Sequence, residues 1–281
     1  VFGVAHFVAC GENSFTSESD AGSDASPSAD ASPSADASPG SDGAPFSGCA
    51  SDAGPSMVLI PHSPPFCVDS TEVTTAQYQS FVAAIADGYA PVIDARCASK
   101  TTSYEPIAGC FSSRAPDGDL PATCVDWCDA VAYCAWAGKR LCGEIGSDTT
   151  VDYSNRLDPS TNQWLYACTA NGTSSYPYAN AYDASACNVA NYPDAGKSLA
   201  PVASDPTCTG GYPGIFDMAG NAREWIDSCL EGPVPATSSC ALLGGSYENG
   251  DPYQLPGYCK GGDFGQRGGG TVDIGFRCCS K

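Results

Sequence analysis

Histidine is nearly absent from this 281-residue chain, with His6 and His62 its two examples. Neither has a second candidate ligand nearby, and no two cysteines stand at C-x-x-C spacing, so a zinc site lacks its usual donor set. Hydrolytic and nucleophilic chemistries that need an imidazole base lack one inside the domain beyond His62 near its start. Basic residues are also scarce, 12 Lys and Arg against 32 Asp and Glu, for a formal net charge of -20. Residues 11–56 contain eight acids and no lysine or arginine. Phosphate neutralisation needs clustered cations, so nucleic acid is excluded as a partner.

Cysteine is present in excess. Seventeen cysteines are spread along the chain, a density that points to a disulfide framework in an oxidising compartment rather than to reduced cytosolic thiols. Val1 to Ala9 is an apolar run ending in Phe7-Val8-Ala9-Cys10-Gly11. It reads as the end of a signal peptide meeting a bacterial lipobox, without its basic n-region, so residues 1–10 are expected to be a partial lipoprotein signal. Cys10 is the lipidation candidate, with plain export as the alternative. Setting Cys10 aside leaves sixteen cysteines, an even number as full pairing requires. The expected location is the bacterial cell envelope, lipid-anchored or secreted.

Residues 24–39 repeat with period six, as Asp24-Ala25-Ser26-Pro27-Ser28-Ala29, Asp30 to Ala35, then Asp36-Ala37-Ser38-Pro39. With no aromatic or branched aliphatic side chain to bury, nothing there offsets chain entropy. Regular prolines and mutually repelling aspartates favour an extended spacer over residues 11–56, reaching on the order of 100 Å at roughly 3.1 Å per residue. Residues 57–281 form the globular part, about 225 residues, enough for one sizeable core. Abundant Gly and Pro predict a loop-rich α+β domain with short strands and a few helices. One helix is expected over Ala76 to Ala86, capped by Thr74 or Thr75, with Tyr78, Phe81, Val82 and Ile85 on one face. A second runs from Asp126 to about Ala137. Asp126 and Asp129 cap it, Trp127, Val131, Cys134 and Ala135 form its stripe, and Lys139 and Arg140 follow its negative end.

Several motifs follow one another in a recognisable order: Met57-Val58-Leu59-Ile60-Pro61; Phe66-Cys67-Val68-Asp69; Thr71-Glu72-Val73-Thr74 with Tyr78 and Phe81; Asp126-Trp127-Cys128-Asp129-Ala130-Val131-Ala132-Tyr133-Cys134 with Trp136 to Leu141; Gln163-Trp164-Leu165-Tyr166-Ala167-Cys168; Asp217-Met218-Ala219-Gly220-Asn221-Ala222-Arg223-Glu224-Trp225; Gly244-Gly245-Ser246; and Gly275-Phe276-Arg277-Cys278. The sequence resembles the formylglycine-generating enzymes, also called sulfatase-modifying factors, over nearly the whole globular part. The resemblance implies their loop-rich α+β fold, distantly similar to C-type lectin folds, with multiple disulfides. It further implies disulfides Cys134–Cys278 and Cys168–Cys259. From proximity alone, Cys97–Cys110, Cys187–Cys208 and Cys229–Cys240 are the expected short-loop pairs.

The family's enzymes bind copper through a cysteine pair after the Gly-Gly-Ser and oxidise a protein cysteine to formylglycine. Here those positions are Asn249 and Gln254, and an amide pair does not replace two soft thiolates for copper(I). No copper and no catalytic residue are therefore expected. A family branch using nonheme iron needs histidines that this chain lacks. The resemblance also implies calcium. One site would take Asp217, Gly220, Ala222 and Glu224, and a second Asn188, Val189, Asp194 and Gly196, in keeping with calcium's preference for carboxylate and carbonyl oxygen. The alternative is that Asp217 and Glu224 cap turns or pair with Arg223 or Arg277. The expected function is a catalytically inactive, calcium-stabilised binding or structural module, with a formylglycine-generating oxidase on non-standard residues as the competing reading. Tyr176, Tyr178, Tyr182, Tyr192, Tyr212 and Tyr253 suit recognition of a protein or glycan, or else pack the loops. The membrane would be met through the N-terminal lipid.

Overall fold

The computed structural model describes residues 49, 51–100, 103–110, 118–189, 198–248 and 258–280. Cys10 and the period-six spacer lie outside them. A compact unit extends from Pro45 to Lys281. Cys49 is bridged to Cys67, and the Asp52 amide donates to the Ala137 carbonyl at 3.2 Å. Residues 51–56, assigned to the spacer on composition, therefore pack with the domain, where Pro55 is buried and Ala53 lies against the main apolar cluster beside the Cys49–Cys67 bridge.

Two four-stranded sheets carry the fold. In the first, β1 (Met57–Ile60), β2 (Phe66–Asp69), β10 (Cys278–Cys279) and β3 (Arg140–Leu141) lie in the order β1-β2-β10-β3. In the second, β8 (Asp263–Gln266), β7 (Ser239–Leu243), β6 (Arg223–Leu230) and β9 (Ile274–Phe276) lie in the order β8-β7-β6-β9. The β6–β9 pair is parallel, with Arg223 opposite Ile274 and Trp225 opposite Phe276. A hairpin of β4 (Thr209–Gly210) and β5 (Tyr212–Phe216) stands apart. Successive strand side chains point to opposite faces, and β6 uses both: Trp225 enters one apolar cluster, with α1 (Thr75–Ala86) and α2 (Trp127–Trp136), and Ile226 enters the other, with α3 (Gln163–Cys168).

Both longer helices start on reciprocal caps. Thr74 Oγ1 accepts from the Gln77 amide while Gln77 Oε1 accepts from the Thr74 amide, and Asp126 and Asp129 do the same for α2. Each closes two otherwise orphaned backbone donors. The predicted stripe of α2 needs correction: Ala135 is exposed and Val131 only half-buried, while Ala130 and Tyr133 are buried. Tyr133 turns inward because Tyr78, Phe81 and Phe276 meet it at ring distances of 5.3 to 5.8 Å. Lys139 does not serve the helix dipole either. It is fully buried, with Nζ 2.6 Å from Asp69 Oδ1 and donating to the Pro55 carbonyl.

All sixteen cysteines from Cys49 onward are bridged, in eight disulfides. Among them are Cys134–Cys278 and Cys168–Cys259, the pairs implied by the resemblance, and Cys187–Cys208 and Cys229–Cys240. Cys97–Cys110 is not formed. Cys97 pairs with Cys128 and Cys110 with Cys124, because Arg96 folds over the Trp127 ring at 4.6 Å and the Ile107 amide bonds to the Cys124 carbonyl, bringing each cysteine to a more distant partner. Such a framework belongs to an oxidising, exported environment. No helix among the described residues is long and apolar enough to cross a membrane.

Candidate functional site

The Gly-Gly-Ser loop is built against the turn that precedes β6. Asp217, Gly220, Asn221, Gly244 and Gly245 all adopt positive φ, from +54° to +90°. At Gly220 a side chain is excluded outright, since a Cβ would lie 2.4 Å from the Asn188 carbonyl oxygen. The two turns interlock: the Gly220 amide donates to the Gly244 carbonyl at 2.9 Å and the Tyr247 amide to the Asn221 carbonyl at 3.1 Å. The Asn221 side chain then clamps a third segment, accepting from Asn188 Nδ2 and the Ala200 amide and donating to the Ala200 carbonyl.

Asp273 fixes the serine. Its carboxylate accepts from Ser246 Oγ at 2.9 Å and Thr271 Oγ1 at 2.5 Å and pairs with Arg223 at 2.8 Å. Burial pushes this carboxyl up, but the Thr271 hydrogen bond, the Arg223 charge and Ser246 outweigh it and hold the group below its usual range. Ser246 is thus a positioned donor on an ionised carboxylate, and its Oγ also receives the Glu248 amide. Asn249 and Gln254 lie outside the described residues. The chain enters their segment at Glu248 and is anchored beyond it by the Cys168–Cys259 bridge.

Beneath this surface lies a charged cluster that the sequence indicated only through its alternative pairing for Glu224. Arg277, fully buried between β9 and β10, donates from Nε at 2.8 and 3.0 Å and from Nη2 at 2.8 Å to the Glu224 carboxylate, which also receives Trp164 Nε1 at 2.7 Å. Arg277 further donates to the Asp69 and Phe216 carbonyls. Asp217 Oδ2 accepts the Ala203 amide; burial pushes its carboxyl up to about 6, with the Ala203 amide and the Arg277 charge opposing. Glu72 is fully buried with neither carboxylate oxygen hydrogen-bonded. Burial first, then the charges of Asp217 and Glu224, push it well above the ordinary carboxylate range.

This geometry bears on calcium. Glu224 has both oxygens engaged by a guanidinium and an indole N–H, and a divalent cation there would face the Arg277 charge, so Glu224 does not fit a calcium ligand in this arrangement. Among the described residues, no three Asp, Glu, His or Cys side chains are arranged to hold a metal. In the second set, the Asn188 amide nitrogen is directed to Ser198 and Asn221, the Asn188 carbonyl accepts the Asn221 amide and Val189 is buried. Asp194 and Gly196 lie outside the described residues. Of the candidate recognition tyrosines, Tyr176 is buried, Tyr212 stacks on Tyr166 at 6.1 Å, Tyr178 and Tyr182 line an open trough, and Tyr192 and Tyr253 are not described.

A model of the sulfatase-modifying factor enzyme 1-like domain matches residues 50–281. The chain is 27% identical to the bovine (Bos taurus) formylglycine-generating enzyme over 186 residues, 58% of this chain and 44% of that protein. It is 28% identical to mouse (Mus musculus) inactive C-alpha-formylglycine-generating enzyme 2 over 137 residues, 46% of this chain and 37% of that one. The chain thus spans less than half the length of these two relatives. Over 275 residues it is 26% identical to the formylglycine-generating enzyme of Streptomyces coelicolor, covering 77% of this chain and 78% of that protein. Among solved structures, CarF superposes with a TM-score of 0.52 at 22% identity, over 82% of this chain and 95% of that one. PvdO from Pseudomonas aeruginosa gives 0.52 at 18%, over 77% and 80%. The interlocked Gly-Gly-Ser turn, the paired cysteines and the match over the whole globular part place the chain in the sulfatase-modifying factor enzyme 1-like, or formylglycine-generating-enzyme, family.

Proposed function

We propose that this chain is an exported, lipid-anchored binding or structural module that keeps the family framework without its copper-dependent oxidase chemistry. The observation that carries this reading is the cysteine inventory. Every cysteine from Cys49 onward is engaged in a disulfide, and the Gly-Gly-Ser is followed by Asn249 and Gln254 where the family's thiols stand. A copper(I) site selects soft sulfur ligands, and no thiol pair remains in the domain to form one. Relatives described as inactive occur in the same family.

The rest of the framework supports presentation of a surface. Sheets, caps and bridges hold the loops, and an acidic spacer precedes them, with Cys10 as the lipid attachment point. A recess of about 320 Å³ between α1 and residues 105–109, lined by Tyr78, Val82, Ile107 and Thr123, offers one receptive surface. Calcium binding is proposed for the Asn188 loop and not for Glu224, whose counter-charge is Arg277. Removal of calcium by a chelator should then lower the melting temperature with the Arg277–Glu224 pair intact; an unchanged melting temperature removes calcium from the proposal.

The deciding assay incubates the oxidised, copper-loaded protein with a cysteine-containing sulfatase peptide under oxygen and follows the peptide mass. No aldehyde is expected. Aldehyde formation that depends on any residue of this chain would establish the oxidase reading instead.

A further inference from the structure

The loop from Tyr176 to Cys187, between α3 and β4, gathers aromatic rings. Tyr176 is the hub: its ring lies 5.5 Å from Tyr178 at an interplanar angle of 17°, 5.7 Å from Tyr182 at 45° and 5.8 Å from Tyr258 at 72°. The hub is buried, whereas Tyr182 is 36% exposed. Tyr178 and Tyr182 form walls of an open trough of about 720 Å³. The loop is stapled at its base by Cys187–Cys208, whose apolar cluster packs under Tyr178.

The remaining lining decides the ligand chemistry. Ala179, Ala181, Ala184 and Ala186 present methyl groups, and Asp183, Ser185 and Thr207 the side-chain oxygens other than the phenols. Among the described residues, no lysine, arginine or histidine lines the trough. Asp183 Oδ1 is held by the Ser185 amide at 2.8 Å and Ser185 Oγ at 2.6 Å; these bonds set the carboxylate on the wall, and they hold it below its usual range, so it is ionised. The exposed ring of Tyr182, next in sequence to this anion, offers a cation the attraction of the ring quadrupole. Walls of methyl and aryl groups give a strongly hydrated ammonium or a polyhydroxylated sugar few replacement hydrogen bonds, and that desolvation is costly. A cation already covered in methyl groups loses little. The chain's charge of -20 adds attraction of the same sign at long range.

We propose that this trough is a binding site for an alkylated ammonium group, a trimethylammonium head, carried on a small solute or on a lipid. The proposal deepens the module reading and rests on it.

Isothermal titration calorimetry of the oxidised full chain with tetramethylammonium chloride and with choline chloride tests it, against ammonium chloride and glucose at matched ionic strength. Saturable binding of both alkylated cations is expected, with ammonium weaker by about tenfold or more. Tyr182→Leu keeps apolar bulk without the quadrupole and should weaken binding about tenfold, while Tyr182→Phe should retain it. Asp183→Asn should weaken binding and reduce its salt dependence. Phosphatidylcholine vesicles separate the two sources: pelleting with them assigns the head group to a lipid, and binding of free choline alone assigns it to a solute. No saturable binding of either alkylated cation, equal binding of ammonium or glucose, or unchanged affinity in Tyr182→Leu overturns the site. The peptide-oxidation assay decides the module reading separately, so absent cation binding without peptide turnover removes this site and leaves the module.

Discussion

Around Arg277 the chain buries a guanidinium, Glu224, Asp217 and Glu72 between two sheets, with Trp164 supplying a further donor. Around Tyr182 it exposes aromatic and methyl surface on a loop with one ionised carboxylate at the rim. The first region places charge where water is excluded, so Arg277 and Glu224 depend on one another while Glu72 has no hydrogen-bond partner. The second places apolar area where water reaches, held by a disulfide, ring contacts and the small apolar cluster under Tyr178. Loss of one atom in the junction therefore strands a buried charge, while loss of a side chain in the trough returns surface to solvent. Stability resides in the first region, and the proposed recognition in the second.

The largest expected effect breaks the junction. Glu224→Ala leaves Arg277 buried without its counter-charge and should cost about 3–5 kcal/mol, read as a lower denaturant midpoint at unchanged slope. Glu224→Leu combined with Arg277→Leu removes both charges and should recover a large part of that loss. If the double variant is no better than the single one, packing rather than charge pairing governs the region.

Next comes the bridge that spans the candidate site. Replacing Cys168 and Cys259 together with serine opens a closure of 91 residues and should cost about 2–5 kcal/mol. Removing Cys187–Cys208, 21 residues apart, should cost less on loop length alone. Thermal unfolding of the two variants side by side checks the order.

A smaller effect concerns pH. Glu72 has its folded pKa well above the ordinary 4.5. Its contribution to stability is then complete below about pH 4.5 and is lost as pH rises through the folded value. Glu72→Gln, neutral at every pH, should match wild type near pH 4 and exceed it progressively at higher pH. A difference that is constant with pH would show that Glu72 does not titrate on folding.

The smallest effect belongs to the trough. Tyr182→Leu should change stability by no more than about 0.5 kcal/mol, measured by thermal unfolding. A larger loss would make the ring part of the framework and erase the contrast between the two regions.

Much of the framework is legible in the sequence, because it depends on local signals. Thr74 and Asp126 announce their helices through side chains three residues apart, and Gly220, Gly244 and Gly245 mark turns that need positive φ. The two long-range bridges, Cys134–Cys278 and Cys168–Cys259, are implied by the family resemblance and follow from no local rule. What the sequence hides is partnership across distance. Lys139 follows a helix and looks like a dipole cap, yet Asp69, seventy residues earlier, holds it in the interior. Glu72 sits in a recurrent motif and carries no sign that its oxygens will be unpaired. Short-loop pairing of Cys97 with Cys110 fails for the same reason, since each chooses a partner brought near by packing. At the candidate site, Ser246 was visible as part of Gly-Gly-Ser, but its carboxylate partner Asp273 has no motif to identify it.

The stretch Ile274 to Cys279 joins both sheets, with β9 in one, β10 in the other and Arg277 between them. It also carries the partners of Cys134 and Cys142, 144 and 137 residues upstream. The ribosome reaches these residues after nearly all the rest of the domain. Until they emerge, Cys134 and Cys142 have no correct partner, the first sheet lacks the strand between β2 and β3, and Glu224 has no counter-ion. The domain therefore cannot complete its fold vectorially during synthesis or export. The Cys134–Cys278 and Cys142–Cys279 bridges close late, a step that a disulfide isomerase would accelerate.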